Sequence, residues 1–412
     1  MRRNQMPVIT LFSGNFCKEE PVLETLISET EYKLISDDDL TARAVELSGM
    51  AAKKIERAFS SRTSAFNKFT HEKERATSYL KLAAAQELGR DNLVFAGFSS
   101  HLIPASINHV LRVCLIADME FRISEAKTNE GISSKEAAKL IHRQDEDKAV
   151  WVNRLHGVKD PWDPSLYDII IPMDKTAVEE AASLIKENLG KDILQTTAAS
   201  QKAVDDFLLA VRVEVELAKE GHYVNVGAKD GLVTITINKR VLALGRLEQE
   251  LKSIALKVKG VRDVKTKVGK DFYQADIYRK YDFEVPSRIL LVDDEREFVT
   301  TLSERLLMRD MGSVVAYDGR SALDLIESDE PDVMILDLRM PGIDGIEVLR
   351  RVKKSNPSIE VIILTGHGSE EDRKTCMELG AFAYLQKPVD IDLLSETLKK
   401  ANDKVRTGKI KT

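Results

Sequence analysis

The sequence predicts a multidomain α/β protein, on the strength of three patterns. In the last third, apolar runs end on polar or charged residues: Arg288-Ile-Leu-Leu-Val-Asp-Asp294, Asp332-Val-Met-Ile-Leu-Asp337, Val361-Ile-Ile-Leu-Thr-Gly366 and Ala383-Tyr-Leu-Gln-Lys-Pro388. Such runs read as buried parallel strands. With the helical patterns between them they make five βα units, a doubly wound five-stranded parallel sheet over residues 287–406. Between Thr196 and residue 270 the order is helix, strand, strand, helix, strand. Residues 1–192 open on the strand-like Val8-Ile-Thr-Leu-Phe12 and continue as a further α/β domain.

A chain of 412 residues holds two to four domains of ordinary size. Apolar residues make up 43% and charged residues 31%, the balance of globular domains with normal cores. A net charge of -6 argues against a general nucleic-acid binder, which needs a basic face. Cys17, Cys114 and Cys376 are isolated and show no metal-ligand spacing or disulfide framework. Arg2-Arg3 before Met6-Pro-Val-Ile-Thr-Leu-Phe12 faintly resembles an export signal, but the apolar run is short and breaks at Ser13-Gly14. The isolated cysteines make a reducing cytoplasm the expected home, and no apolar stretch approaches bilayer-spanning length.

Taken in order, the first strand runs into Ser13-Gly14-Asn15-Phe16-Cys17-Lys18-Glu19-Glu20, where a phosphate-binding α/β domain places its glycine-rich loop. Here there is one glycine, no Gly-Lys-Ser/Thr, and two glutamates where phosphate wants positive potential. Helical patterns follow from Asp39 to Leu88, then strands at Asn92–Gly97 and Val110–Ile116. A helix over residues 133–141 starts on a capping box, Ser133 with Glu136. A strand at Ile169–Ile171 and a helix at Val178–Leu189 close the region. The Gly97 strand, Leu111-Arg-Val113, Arg122 after Ala117-Asp118, Asp145-x-x-Lys148 and Tyr167-Asp-Ile-Ile-Ile171 resemble the cytidylate-kinase-like family of nucleoside monophosphate kinases, a P-loop-kinase-like fold, over about residues 6–192. The resemblance implies ATP phosphates on the loop and arginines on the transferring group. The loop is eroded, and Lys148, a point charge without a bidentate fork, stands where the family usually shows arginine. A degenerate kinase fold is therefore expected, with Lys18, Arg122, Lys148 and Arg154 as nucleotide- or anion-binding candidates. Without a ligand, Arg122 and Arg154 are expected as solvated helix charges and Lys18 as an exposed first-turn lysine.

In the middle, Thr196–Lys219 carries an apolar stripe of Ala203, Phe207, Ala210, Val211 and Val215 at helical spacing. His222–Val226 and Leu232–Ile237 read as strands joined at Lys229-Asp230-Gly231, a hairpin signal. Leu244–Val258 reads as a helix and Val264–Val268 as a strand. The αββαβ order, with Asp230-Gly231-x-Val233-Thr234 and Gly260-Val261-x-x-Val264, resembles a BON domain over residues 196–270. That family is linked to envelope or phospholipid binding; a small scaffold that couples its neighbours is the plainer expectation. Residues 271–286 form a linker, and its aromatics Phe272, Tyr273, Tyr278, Tyr281 and Phe283 predict packing rather than a free tether.

In the last domain, helices are expected at Glu297–Met308, Gly319–Glu327, Gly345–Ser355, Glu370–Leu379 and Asp392–Asn402. Four strands deliver Asp293-Asp294, Asp337, Thr365 and Lys387 to their C-terminal ends, where open α/β sheets bind ligands. With Met340-Pro-Gly-Ile-Asp-Gly345 behind Asp337, the set resembles the receiver domain of two-component response regulators, a flavodoxin-like fold. The resemblance implies that Asp337 is the phosphoacceptor and that Asp293, Asp294, Asp337 and the backbone carbonyl of Arg339 hold Mg2+, a hard ion suited to oxygen ligands. It implies further that Lys387 and Thr365 meet the phosphoryl oxygens, that Tyr384 is the switch aromatic, and that Lys387-Pro388 is cis. Glu295 reads as first-turn helix dressing.

A phospho-switch follows as the leading expectation, with a histidine kinase or phosphotransfer protein as donor and an N-terminal output. No helix-turn-helix is apparent, which disfavours transcription as the output. The alternatives are an active receiver-regulated CMP-type kinase and a phosphorylation-dependent adaptor without nucleotide. A homodimer through the fourth and fifth receiver helices is a further expectation from the family.

Overall fold

The structure is a computed structural model, and it describes residues 7–62, 64–90, 92–238, 244–269, 288–366 and 368–409. The aromatic stretch 272–286 lies outside the described residues. Two compact units emerge: residues 1–63 with 72–279, and residues 64–71 with 280–412. Among the described residues, no helix is long and apolar enough to cross a membrane.

The first unit holds two sheets. Strands β1 (Val8–Ser13), β2 (Lys33–Ile35), β3 (Leu93–Ala96), β4 (Val110–Ile116) and β5 (Ile169–Pro172) form a parallel sheet in the order β2-β3-β1-β4-β5. All six residues of β1 are buried, as expected of a central strand covered on both faces. Leu93, Phe95 and Trp151 pack on one side of the sheet, and Ile9, Leu11 and Val113 on the other. The capping box at Ser133 is present, but its helix runs far past the expected end, spanning Ser134–His156. Asp145, Lys148, Trp151 and Arg154 therefore ride on one helix, because nothing between Lys139 and Leu155 breaks it and Gly157, at φ 72, ends it.

The second sheet of this unit has β6 (Asn225–Lys229) antiparallel to β7 (Leu232–Ile237), and β8 (Asp263–Val268) parallel to β7. Asp230 and Gly231 turn the hairpin with φ of 55° and 76°, the left-handed pair that a two-residue turn demands. The first strand starts at Asn225 rather than at His222, so it sits three residues later than the alternation suggested. The helix Ala198–Lys219 serves two cores: Val204, Val211 and Val215 join the larger sheet's core, while Val213 and Leu217 join the smaller one's.

In the second unit, β9 (Ile289–Val292), β10 (Ser313–Ala316), β11 (Val333–Leu336), β12 (Glu360–Thr365) and β13 (Ala383–Gln386) pair in parallel in the order β10-β9-β11-β12-β13. This is the doubly wound plan, with the order reversing between β9 and β11. Helices cover both faces, and the last one, Ile391–Lys409, is longer than expected. Fully buried β9, β11 and β12 explain the uninterrupted apolar runs that announced them.

Candidate functional site

The switch point of the second unit's sheet places Asp293 just beyond β9 and Asp337 just beyond β11. Both are buried, at 4% and 5% exposure, so their charges need a partner inside the protein. Lys387, beyond β13, supplies it. Its Nζ lies 2.7 Å from Asp293 Oδ2, 3.0 Å from Glu295 Oε1 and 3.6 Å from Asp337 Oδ1. The ammonium also sits 4.4 Å from the Phe298 ring centre. Burial works against the charged amine, but the bonds to Asp293 and Glu295 outweigh it and raise its pKa. Asp293 is pushed up by burial, against the pull of Lys387 and of the Glu295 N–H that bonds its Oδ1 at 2.9 Å. Several carboxylates thus compete for one cation.

Asp337 Oδ2 accepts a 2.9 Å bond from the main-chain N–H of Arg339, whose own side chain is exposed. Gly345 is needed behind it, since a Cβ there would fall 2.1 Å from the Asp337 carbonyl oxygen. Thr365 ends β12 fully buried. Tyr384 is half-buried and turned inward: a Cβ on Gly368 would strike its hydroxyl and would lie 2.9 Å from Thr365 Cγ2. Burial raises the phenol's pKa. Lys387-Pro388 is cis.

Sequence position thus brings Asp293, Asp337 and Lys387 together, with Thr365 and Tyr384 against each other. Asp294, by contrast, is exposed, and among the described residues no three His, Cys, Asp or Glu side chains are gathered to hold a metal ion. The donor chemistry nonetheless fits Mg2+: the carboxylates and the Arg339 carbonyl offer only hard oxygen, and Asp293, Glu295 and Asp337 gather around the single ammonium of Lys387. Glu295 departs from its expected role. It holds the N-cap position of the helix Arg296–Leu307 and turns its carboxylate onto Lys387. Adjacency to the acidic pair was the only sequence signal for this.

In the first unit, the turn after β1 carries a single glycine, Gly14. Phe16 and Lys18 adopt left-handed φ of 64° and 55°, and Gly14 N–H is spent on the Leu115 carbonyl at 2.9 Å. The protein's own charged and polar groups meet around this turn. Arg122, 6% exposed, donates from Nη1 and Nη2 to Asp145 at 2.9 and 2.7 Å and from Nε to the Asn15 carbonyl at 2.8 Å. Lys148, also buried, donates to Asn15 Oδ1 and lies 5.3 Å from the Phe98 ring centre. Ser13 donates to the Glu19 carboxylate. Asp37 accepts from the N–H groups of Phe98 and Ser99 at 2.9 and 2.7 Å.

Burial raises the pKa of Glu19 and Asp37 and lowers that of Lys148. Of the four anion-binding candidates, Arg122 and Lys148 converge on Asn15. Lys18 instead pairs with Glu125 at 3.8 Å, and Arg154 donates to the Ala58 carbonyl at 3.3 Å. The Asp145-x-x-Lys148 step foreshadowed part of this cluster, though not that both residues ride on one helix. Glu19 stood out in the sequence only as a negative charge at the loop, and the roles of Asn15 and Asp37 had no such signal.

Residues 289–399 match the response regulator receiver domain model, and residues 8–175 match the cytidylate kinase-like family model. Neither match extends over residues 196–270. The chain is 37% identical over 113 residues to Sporulation initiation phosphotransferase F of Bacillus subtilis, covering 27% of this chain and 91% of that protein. It is 39% identical over 110 residues to Response regulator MprA of Mycolicibacterium vanbaalenii, covering 27% of this chain and 48% of that one. The chain thus spans about half the length of MprA. Among solved structures it is similar to a CheY-like receiver domain protein from Methanospirillum hungatei, at 28% identity and a TM-score of 0.29, covering 29% of this chain and 97% of that one.

Proposed function

Because the chain belongs to the response regulator receiver family through residues 289–399, we propose that it is a two-component response regulator phosphorylated on Asp337. The observation that carries this reading is the buried Asp293/Asp337 pair at the switch point with Lys387 between them. The donor is a histidine kinase or phosphotransfer protein. An Asp337 carboxylate oxygen attacks phosphorus, the O–P bond forms, the donor's N–P bond breaks, and the electron pair leaves with its imidazole. Lys387 exchanges a carboxylate for phosphoryl oxygens, and Thr365 offers them its hydroxyl. Asp293, Asp294, Asp337 and the Arg339 carbonyl would hold Mg2+, which when bound supplies positive charge beside those oxygens. Tyr384, beside Thr365, is the aromatic that repacks when Thr365 moves.

The kinase-like region is read as an output and interaction domain rather than a nucleoside monophosphate kinase. Arg122 has its fork on Asp145, and Glu19 and Asp37 take up the room and charge that phosphates would need. The 196–270 module is read as a scaffold on that domain.

Acetyl phosphate with Mg2+ tests the reading. Intact-mass measurement is expected to show one phosphoryl group per chain, not formed when Mg2+ is chelated before acetyl phosphate is added and absent from Asp337→Asn. Equal labelling of wild type and the variant would overturn it. A coupled assay with CMP, dCMP and ATP is expected to show no transfer above an Arg122→Ala, Lys148→Ala control.

A further inference from the structure

Ser64–His71 lies, in sequence, inside the stretch that matches the cytidylate kinase-like family, yet it is built into the receiver unit. We propose that the end of the receiver sheet opposite Asp337 is a second interaction surface, that its partner is this segment of the same chain, and that the grip acts as a strap on the kinase-like region.

The contacts are those of a made fit. Phe66 is fully buried as a member of the receiver core that contains Leu290, Ala322 and Met334. The Arg288 guanidinium lies 4.9 Å from its ring centre. Arg288 is itself buried and paired with Asp329 at 2.8 Å. The other oxygen of Asp329 accepts from Ser64 Oγ at 2.6 Å and from the Ala65 N–H at 2.8 Å. One buried carboxylate is therefore shared between the receiver's own arginine and the turn that delivers Phe66, an arrangement that is costly to leave half-made. Phe69 closes over Gly312, where a Cβ would fall 2.2 Å from Phe69 Cγ.

Position gives the surface its meaning. Arg288 immediately precedes β9 and Asp329 lies four residues before β11. These are the two strands whose far ends carry Asp293 and Asp337. On the kinase-like side the strap is pinned at both ends. Ser61 N–H and Ser60 Oγ bond Asp147 Oδ1, and Lys73 Nζ donates to the Ser60 carbonyl, joining the chain before the strap to the chain after it. Asp147 sits on the helix beside Lys148. A change in how firmly the receiver holds Phe66 thus reaches, through covalent chain and these bonds, the helix carrying the filled anion cluster. The inference stands on these contacts whether or not Asp337 accepts phosphoryl.

Hydrogen exchange on the full-length protein tests it, comparing wild type, Phe66→Ala and Gly312→Ala, with the exposed Met308→Ala as control. Gly312 is outside the left-handed region, so alanine there is compatible with the backbone, and the three atoms nearest its Cβ all belong to Phe69. In wild type, 64–71 is expected to be protected relative to free chain. Gly312→Ala is expected to speed its exchange at least about tenfold and to speed exchange at Ser61 and residues 145–150, while β9 and β11 stay protected. Met308→Ala is expected to change neither. If Phe66→Ala unfolds the receiver, Gly312→Ala alone decides. Free-chain exchange of 64–71 in wild type, or loosening of 64–71 in Gly312→Ala with Ser61 and 145–150 unmoved, overturns the proposal.

Discussion

At Lys387 one ammonium answers three carboxylates, those of Asp293, Glu295 and Asp337. Two of the three were legible because strand-end position, read from where an apolar run stops, places a residue in the crevice. Glu295 was not, because its contact crosses 92 residues of chain and depends on a side chain's reach, which periodicity does not encode. The same limit explains Arg122: it stood out in the sequence as an anion-binding candidate, but its engagement by Asp145 was not legible. His101 shows how burial at a single residue becomes a pH dependence. It is 8% exposed, bonded to His156 at 3.1 Å and to the Tyr167 hydroxyl at 3.2 Å. Burial, helped by His156 and Arg112, lowers its pKa from 6.5 to about 3. The folded value lies below the unfolded one, so the stability tied to neutral His101 is present above pH 6.5 and drains away as pH falls towards about 3. Denaturation of the first unit at pH 7.5 and pH 5 is expected to show a larger acid loss in wild type than in His101→Gln. Equal losses would contradict this.

Elements were read best where a period ran unbroken between stops. Val178–Leu189, Leu232–Ile237 and Gly345–Ser355 sit where the pattern placed them. The helix from Ser134 was cut short because its charged stretch, Arg143 to Lys148, hid a stripe that packing at Trp151 and Val152 sustains. The helix Ala198–Lys219 was read as part of one module, since a stripe reveals that a face is apolar but not what covers it. Its two apolar faces serve separate cores. Val211→Ala and Val213→Ala are each expected to cost about 1–3 kcal/mol, by lost burial plus the cavity left behind. In hydrogen exchange, the first is expected to loosen β1 and β3 and the second β7. Loosening of β7 alone by both variants would mean that the helix belongs to the small sheet only.

At the scale of the whole molecule, the order of regions was legible because each brings its own rhythm of strands and helices. The strap was not, since Ser64 and Asp329 lie 265 residues apart and neither carries a motif. Long-range partners of that kind follow from packing, and a single sequence carries no separate sign of them. What unites the molecule functionally is the claim that the receiver's acidic cleft is its input. The most direct measurement is to phosphorylate the full-length protein with acetyl phosphate and Mg2+, reduce it with tritiated borohydride, and map the labelled peptide. An acyl phosphate on a carboxylate is reduced to the alcohol, so an aspartyl phosphate leaves homoserine in its place. The predicted result is label at position 337 alone; label at another carboxylate, or none after phosphorylation, would contradict it.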